Sequence, residues 1–235
     1  MATAAEQRAL QELKDGGIVL VYDADGREEE TDMVIASEHA TSVAIRTLRK
    51  DAGGLICTTA DVQVQRALGL PFMTELFLGM AEHYPVMKSL MPNDIPYDVK
   101  SAFGITINHR RTFTGITDND RSLTITEFAS LAKRALTSED GWAKREFGNN
   151  FRAPGHVHLL NTSEKILETR FGHTELATAL VIMAGLVPSA TVCEMMGDDG
   201  KALTKEKAKV YAKTHGLVFL QGSEIVEAWK ERLCR

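Results

Sequence analysis

The sequence predicts an α/β sandwich, and three observations lead to that fold class. Short apolar runs of the kind that form buried strands recur from residues 17–22 to residues 217–220. Helical patterns lie between them along the whole chain of 235 residues. No internal repeat, low-complexity segment or Pro/Gly/Ser-rich linker interrupts this alternation. Because helices and strands are mixed rather than segregated, we expect one α/β domain over residues 1–235.

The first half of the chain opens with an amphipathic helix over residues 5–14, which Asp15-Gly16-Gly17 ends. A buried strand at 17–22 runs directly into an acidic loop, and the pattern of residues 41–50 is ambiguous. The other elements predicted in this half are a strand at 33–36, a strand at 54–58, a helix at 61–68 and a strand at 101–108.

In the second half, Thr124 and Glu127 have capping-box spacing, which predicts that a helix over 124–136 begins at Thr124. Pro154-Gly155 is typical of a tight turn, which would end on His156. The other elements predicted here are an apolar helix at 176–186, a strand at 187–193, a helix at 205–214, a strand at 217–220 and a closing helix at 223–233.

Composition and charge disfavour several classes of protein. The net charge of -5 argues against a nucleic-acid binder, whose binding face is usually basic. The longest apolar stretch, residues 176–187, falls short of the ~20 residues that span a bilayer, so no membrane segment is expected. Cys57, Cys193 and Cys234 form no CxxC pair, and we expect reduced thiols in a cytoplasmic protein. Cys57 lies in a glycine-rich stretch and is a candidate reactive thiol.

The acidic loop from Asp23 to Asp32 carries six carboxylates directly after a buried strand. Loops at strand ends often hold functional sites. Clustered carboxylates repel one another unless a cation relieves them, and Mg²⁺ prefers oxygen ligands. The loop is therefore a candidate divalent-metal site, with a solvated charged turn as the alternative.

A second motif, Arg170-Phe171-Gly172-His173-Thr174-Glu175, directly precedes the apolar helix. Thr174 is a candidate N-cap, which would place Gly172 and His173 at the positive end of that helix. Free backbone N–H groups there, with Arg170 alongside, suit a phosphate, and His173 could bind a metal through a ring nitrogen. The alternative is an ordinary helix cap with a surface histidine.

Three further segments hold candidate functional groups. His156 is placed for acid–base chemistry or is simply exposed. Glu194 falls at the end of an apolar strand, where a carboxylate is costly unless it is paired or used, whereas Asp198-Asp199-Gly200 is most simply a turn. Residues 108–121 concentrate arginines and hydroxyl groups, as in a phosphate-binding segment or a polar loop.

Four separated motifs resemble, in their order along the chain, those of the 3,4-dihydroxy-2-butanone 4-phosphate synthase family. They are Asp-x-x-x-Arg-Glu-x-Glu-x-Asp from Asp23, Pro-Gly-His at His156, Arg-x-Gly-His-Thr-Glu from Arg170, and Cys-Glu from Cys193 with Asp-Asp-Gly after it. The resemblance covers nearly the whole chain. Residues 50–57 and 92–97 look like the archaeal or fungal branch, and a monofunctional form is expected.

The resemblance implies a fold and a reaction. The fold is a three-layer α/β/α sandwich with a mixed twisted sheet, and the implied assembly is a homodimer with sites near the interface. The reaction converts D-ribulose 5-phosphate to L-3,4-dihydroxy-2-butanone 4-phosphate and formate in riboflavin biosynthesis. It proceeds by metal-assisted enolisation, dehydration, rearrangement and one-carbon excision. The implied cofactor is Mg²⁺, with Mn²⁺ as the alternative ion and two ions per site when substrate is bound.

The resemblance also implies roles for individual residues. Glu28 and His173 would be the metal ligands, and Asp23→Asn would leave appreciable activity because Asp23 has no assigned role. The catalytic acid–base candidates are Asp32, His156 and Glu194. The substrate-binding residues implied are Arg27, Glu28, Asp32, Thr114, Arg170, Phe171, Gly172, His173, Thr174 and Glu194.

Two alternatives stay open at this point. Residues 19–26 resemble the apolar strand and Asp-x-Asp of a haloacid-dehalogenase-type phosphohydrolase, in which Asp23 would be the nucleophile. Against that, Arg27 replaces the small hydroxyl residue expected there, and the histidine motifs would have no task. A catalytically inactive metabolite-binding paralogue is the non-enzyme alternative. It predicts the loss of motif residues, and none is lost.

Overall fold

A computed structural model describes residues 3–92, 94–98, 100–139 and 141–233, and a seven-stranded sheet lies at its centre. The strands, in chain order, are β1 (Val19–Tyr22), β2 (Thr31–Ala36), β3 (Cys57–Ala60), β4 (Phe103–His109), β5 (Phe151–Asn161), β6 (Ala190–Glu194) and β7 (Val218–Gln221). Their order across the sheet is β4-β5-β3-β6-β2-β1-β7. The β1–β7 and β3–β5 pairs are parallel and the other pairs are antiparallel, so the sheet is mixed.

Helices cover both faces of this sheet. They are α1 (Ala4–Lys14), α2 (Ser42–Thr47), α3 (Val62–Leu68), α4 (Met73–Met80), α5 (Val86–Ser89), α6 (Asp118–Ala135), α7 (Trp142–Asn150), α8 (His173–Met183), α9 (Lys205–His215) and α10 (Gly222–Leu233). Alternate strand residues point to opposite faces. Leu20 and Met33 therefore pack in one apolar core with α2 and α6, whereas Val19 and Val34 pack in the other with α1, α8 and α10. These layers confirm the predicted α/β/α fold class.

Helix α8 is buried along most of its length, which explains why its sequence is apolar throughout. Nine consecutive residues from His173 to Val181 are buried, because the sheet covers one side of the helix and α1 and α10 cover the other. Its first residues, His173, Thr174 and Glu175, are polar and buried as well. Buried polar groups need partners: His173 Nδ1 lies 3.3 Å from Glu28 of the acidic loop, and Glu175 accepts hydrogen bonds from Arg170 and from the N–H of Ser163.

Three boundary shifts matter for the site. Strand β2 begins at Thr31, two residues before the predicted strand, so Asp32 lies inside the sheet rather than in the loop. Strand β6 extends to Glu194. Helix α8 begins at His173 with Gly172 as N-cap, so the prediction that Thr174 is the N-cap was wrong. The glycine leaves backbone N–H groups at this helix end without a side-chain cap.

Two local predictions were wrong for clear physical reasons. Helix α6 begins at Asp118, with Thr117 as N-cap, and not at Thr124. Thr124 is buried mid-helix, where its hydroxyl donates to the Asp120 carbonyl (2.9 Å) and accepts from the His109 N–H (3.0 Å). Pro154-Gly155 forms no tight turn but lies inside β5, where a side chain at Gly155 would collide with the backbone of β4.

The remaining differences are smaller. The ambiguous residues 41–50 form α2 and the start of a π-helical turn, Leu48–Ala52. Helices α4, α5 and α7 had no prediction; α4 is apolar in sequence but buries no residue, and its Leu76, Leu78 and Met80 are exposed. Cys57 and Cys193 are free and buried, and Cys234 and Asn93 lie outside the described residues. Within the described ranges, none of the helices has the length and apolar character to cross a membrane.

Candidate active site

The acidic loop between β1 and β2 folds around the carboxylate of Asp23. One oxygen of Asp23 accepts the N–H of Glu30 (3.1 Å), and the other accepts the N–H of Glu28 (2.9 Å) and Nη1 of Arg27 (3.2 Å). The Asp23 side chain has no exposed surface. These three hydrogen bonds hold the carboxylate inside the loop, so Asp23 fixes the backbone that presents the other loop residues.

The other carboxylates of the loop point in different directions. Asp25 points to solvent, with its side chain 78% exposed, and pairs with Tyr22 (2.7 Å) and Lys205 (3.0 Å). Glu29 has a left-handed backbone (φ 59) and accepts the N–H of Gly26 (2.8 Å), which closes the turn. The three carboxylates that remain alternate along the chain and line one cavity: Glu28, Glu30 and Asp32.

Asp32 and Glu194 stand side by side because their strands pair in register. Asp32 on β2 is the direct antiparallel partner of Glu194 on β6, so the two side chains leave the sheet on the same face. Glu194 also accepts the N–H of Leu55 (2.7 Å). A side chain at Gly54 would collide with the Glu194 carboxylate and carbonyl, so glycine is needed at that position.

His173, the first residue of α8, lies between two of these carboxylates. Its Nδ1 atom is 3.3 Å from Glu28 Oε2, and its Nε2 atom is 3.6 Å from Asp32 Oδ1. The fold therefore joins the acidic loop to a residue 145 positions away in the sequence.

Burial and neighbouring charges shift the pKa values of this cluster. Burial alone would lower the pKa of His173, but the carboxylates of Asp32 and Glu28 raise it to about 9. Burial raises the pKa of Asp32 to about 8, with a further increase from Glu194 and an opposing effect from His173. Burial would raise the pKa of Glu28, but His173 and Arg27 lower it to about 2. At neutral pH Glu28 is therefore ionised, and Asp32 can exchange a proton.

The donor atoms of this cluster suit a divalent cation. One ligand atom each from Asp23, Glu28 and His173 lie within 4.8 Å of one another. Asp32 Oδ1 and His173 Nε2 are buried and have no hydrogen-bond partner among the described residues. Buried polar atoms without partners call for an ion or water, and carboxylate oxygens are the ligands that Mg²⁺ prefers. The residues present therefore fit a magnesium site.

The cluster opens into a cavity of about 210 Å³. One wall comes from strand ends of the sheet and another from the segment before β4. Arg170 lies at its edge, where Nη1 pairs with the buried carboxylate of Glu175 (2.6 Å). The lining residues are Glu28, Glu30, Asp32, Cys57, Ile95, Tyr97, Asp98, Lys100, Ser101, Ala102, Phe103, Leu160, Arg170, His173, Thr174, Val192 and Glu194.

A family model described as 3,4-dihydroxy-2-butanone 4-phosphate synthase matches residues 7–228. The chain belongs to the 3,4-dihydroxy-2-butanone 4-phosphate synthase family.

Relatives and solved structures agree with this membership. The synthase of Methanothermobacter thermautotrophicus is 49% identical over 226 residues, which are 96% of this chain and 96% of the relative. That of Methanosarcina mazei is 45% identical over 225 residues, 94% of this chain and 90% of the relative. A solved synthase in complex with two magnesium ions superposes with a TM-score of 0.75 at 24% identity, covering 97% of this chain and 98% of that one. The predicted likeness to the archaeal or fungal branch is confirmed, and the relatives at 40–49% identity are mostly archaeal.

The structure brings most of the predicted synthase residues to one place. Glu28, Asp32, Arg170, His173, Thr174 and Glu194 line the cavity described above. Arg27 and Phe171 line an adjoining cavity that shares Arg170. Gly172 is the N-cap of α8, directly between Phe171 and His173 in the sequence.

His156 and Thr114 do not line either cavity. The two residues are tied together by Asn108, whose side-chain amide contacts His156 Nδ1 (3.1 Å) and the Thr114 carbonyl (3.4 Å). Asn108 Oδ1 also accepts the N–H of His156 (2.8 Å). This group lies beside Phe113, which is 93% exposed.

Sequence reasoning missed Glu30, Asp98 and Lys100, all of which line the cavity. Glu30 had a usable signal, because it lies two residues from both Glu28 and Asp32, and side chains two apart on a strand share a face. Asp98 and Lys100 had none, since they belong to an irregular segment whose position depends on the rest of the fold.

Cys57 also lines the cavity, and its side chain is buried. Burial raises the pKa of its thiol well above the ordinary value, and the charges of Glu194 and Asp32 raise it further. These surroundings favour the neutral thiol, and the reactivity of Cys57 stays a prediction.

Family membership leaves the phosphohydrolase and inactive-paralogue alternatives unsupported. The geometry of Asp23 gives the physical reason against the first. A nucleophilic carboxylate must reach a phosphorus atom, whereas both oxygens of Asp23 are buried and engaged by donors of its own loop.

Proposed function

We propose that this synthase-family member converts D-ribulose 5-phosphate to L-3,4-dihydroxy-2-butanone 4-phosphate and formate in riboflavin biosynthesis. One observation carries the proposal: Asp32, Glu194 and His173 converge on a single cavity at the N-terminal end of α8. That arrangement supplies acid–base groups, metal ligands and an anion site within reach of one small molecule.

Substrate binding is assigned to two sets of groups in the cavity. The uncapped N–H groups at Gly172, His173 and Thr174 suit the phosphate, with Arg170 alongside. The carboxylates of Glu28, Asp32 and Glu194 suit the hydroxyl groups of the sugar. The full set assigned to substrate binding is Arg27, Glu28, Asp32, Thr114, Arg170, Phe171, Gly172, His173, Thr174 and Glu194.

The acid–base work is assigned to Asp32, Glu194 and His156. Enolisation and dehydration each require a group that takes or gives a proton at a carbon or oxygen of the sugar. Burial raises the pKa of Asp32 to about 8, which lets it act in either direction near neutral pH. Glu194 stands directly beside it on β6, so two carboxylates can act on neighbouring atoms of one substrate.

Glu28 and His173 are the proposed metal ligands. Mg²⁺ bound there would stabilise negative charge on the sugar oxygens during enolisation. Two ions per site with substrate bound, and Mn²⁺ as a substitute, belong to the proposal, and the two magnesium ions in the solved relative are consistent with the number. Glu30 can neutralise further positive charge in the same cavity.

A homodimer reconciles the catalytic assignment of His156 with its position outside the cavity. Phe113 and Ile116 beside it are 93% and 50% exposed. Contiguous exposed apolar side chains mark interaction surfaces, and Phe113 and Ile116 lie on either side of Thr114 in the sequence. We assign His156 and Thr114 to the site of a second copy. A single domain over residues 1–235 and a cytoplasmic location complete the proposal.

A coupled formate assay tests the function. Purified protein should release formate from ribulose 5-phosphate with Mg²⁺, lose this activity in EDTA, and recover it when Mg²⁺ is added back. Glu28→Ala and His173→Ala should abolish the activity, whereas Glu164→Ala, at an exposed ion pair with Arg66, should leave it unchanged. Orthophosphate release without formate would support a phosphatase, and binding without turnover would support an inactive paralogue.

A further inference from the structure

Asp98 lies between the two arginines of the site and contacts both. Its Oδ2 atom accepts hydrogen bonds from Arg27 Nη2 (2.6 Å) and Arg170 Nε (2.9 Å), and it is 2.7 Å from Arg170 Nη2. The Asp98 side chain is only 14% exposed. One carboxylate oxygen thus joins the acidic loop to the residues that lead into α8, across 71 and 72 positions of sequence.

The other contacts of the two guanidinium groups leave donors for a ligand. Arg27 Nη1 pairs with Asp23 and Glu28, and Arg170 Nη1 pairs with Glu175. A guanidinium group has five N–H bonds. Three on each arginine point at these carboxylates of the described residues, so two on each can still donate to an anion.

Both arginines press against the start of α8. An added side-chain carbon at Gly172 would lie 2.6 Å from Arg27 Nη2 and 3.0 Å from Arg170 Nη1. The guanidinium groups therefore lie so close to the N-terminus of α8 that there is no room for a side chain at position 172. Arg27 is further held by the ring of Tyr97, 5.3 Å from its Cζ atom.

We propose that Asp98 is a positioning residue for the phosphate of the substrate. The guanidinium groups of Arg27 and Arg170 both lie within hydrogen-bond distance of Asp98 Oδ2 and repel each other. The negative charge of the shared carboxylate offsets that repulsion. It holds both groups at the N-terminus of α8 before the substrate arrives, so less side-chain freedom is lost on binding. The assignment rests on the proposed function, because the anion is the phosphate of ribulose 5-phosphate.

The isosteric variant Asp98→Asn tests this role, since it keeps the shape and removes the charge. The KM for ribulose 5-phosphate should rise about 10- to 100-fold, the range for losing hydrogen bonds between charged groups. The kcat should change little, because Asp98 does not act on the reacting carbons. The inhibition constant of inorganic phosphate should rise by a similar factor. Glu164→Gln is the matched control, and thermal unfolding checks that both variants fold.

Three results would overturn the proposal. An unchanged KM would show that Asp98 does not organise the arginines. A lower KM, with tighter inhibition by phosphate, would show that Asp98 competes with the phosphate. A loss of kcat at constant KM would show that Asp98 affects the chemical step and not the binding of the phosphate. If the wild-type protein released no formate, the proposed function would fail, and calorimetry with inorganic phosphate on wild type and Asp98→Asn would still decide the role of Asp98.

Discussion

Asp23 is the residue for which the structure most changes the expected effect of a mutation. The resemblance to the synthase family assigns Asp23 no role, so Asp23→Asn would keep appreciable activity. In the folded chain both oxygens of Asp23 accept hydrogen bonds, from the N–H groups of Glu28 and Glu30 and from Arg27. An asparagine offers one accepting oxygen, so its NH₂ group must face at least one of these donors.

The size of the effect follows from these contacts. Losing a hydrogen bond to a charged group, or leaving a buried donor unpaired, costs about 1.5–3 kcal/mol. We expect the ordered loop to lose about 2–3 kcal/mol, which corresponds to about 30- to 150-fold weaker binding of any ion held by Glu28. Global stability should fall less, because the loop lies outside both apolar cores.

Isothermal titration with Mg²⁺ measures this directly, together with formate release at saturating Mg²⁺. Asp25→Asn is the matched control, because it makes the same change in the same loop on a side chain that points to solvent. If Asp23→Asn binds Mg²⁺ as wild type does, the hydrogen bonds of Asp23 do not order the metal-binding loop. If Asp25→Asn weakens Mg²⁺ binding as much as Asp23→Asn, the effect is not specific to the buried carboxylate.

Three further predictions concern the rest of the site. Burial opposes protonation of His173, but Asp32 and Glu28 raise its pKa to about 9, and metal binding needs the neutral ring. The apparent Mg²⁺ affinity should therefore fall as pH drops below about 9, by roughly tenfold per pH unit; an affinity independent of pH between 6 and 8 would contradict this. Gly54→Ala should displace Glu194 and lower kcat more than Mg²⁺ affinity, whereas Gly79→Ala, with open space around it, should behave as wild type. Mixing a His156→Ala protein with a Glu28→Ala protein under subunit exchange should restore formate release that neither has alone, and no restoration would argue against a shared site.

Much of the fold could be predicted because it depends on local patterns. The apolar run at 17–22 and the helix at 205–214 were placed correctly to within one or two residues, as β1 and α9. Thr124 shows the limit of such patterns. It fits a capping box in sequence, but Thr117 caps the helix seven residues earlier, and Thr124 is buried against β4.

The site was predicted in part for a different reason. The acidic loop, His173 and Glu194 stand out in short charged motifs, whereas the choice of Glu28 and Asp32 within the loop is what the family resemblance implies. The pairing of Asp32 with Glu194 depends on strand register, and the contact of Asp98 with two distant arginines depends on an irregular segment. No local pattern encodes either contact. The assignment of His156 to the site of a second copy belongs to the proposed homodimer, and no pattern within a single sequence predicts a contact between two copies.

The most direct test of the central claim follows uniformly ¹³C-labelled ribulose 5-phosphate by NMR with purified protein and Mg²⁺. We predict that labelled formate and a labelled four-carbon ketone phosphate appear in equal amounts, and that both vanish with Glu28→Ala. Formation of free labelled ribulose and orthophosphate, or an unchanged substrate spectrum with fully folded, Mg²⁺-loaded protein, would contradict it.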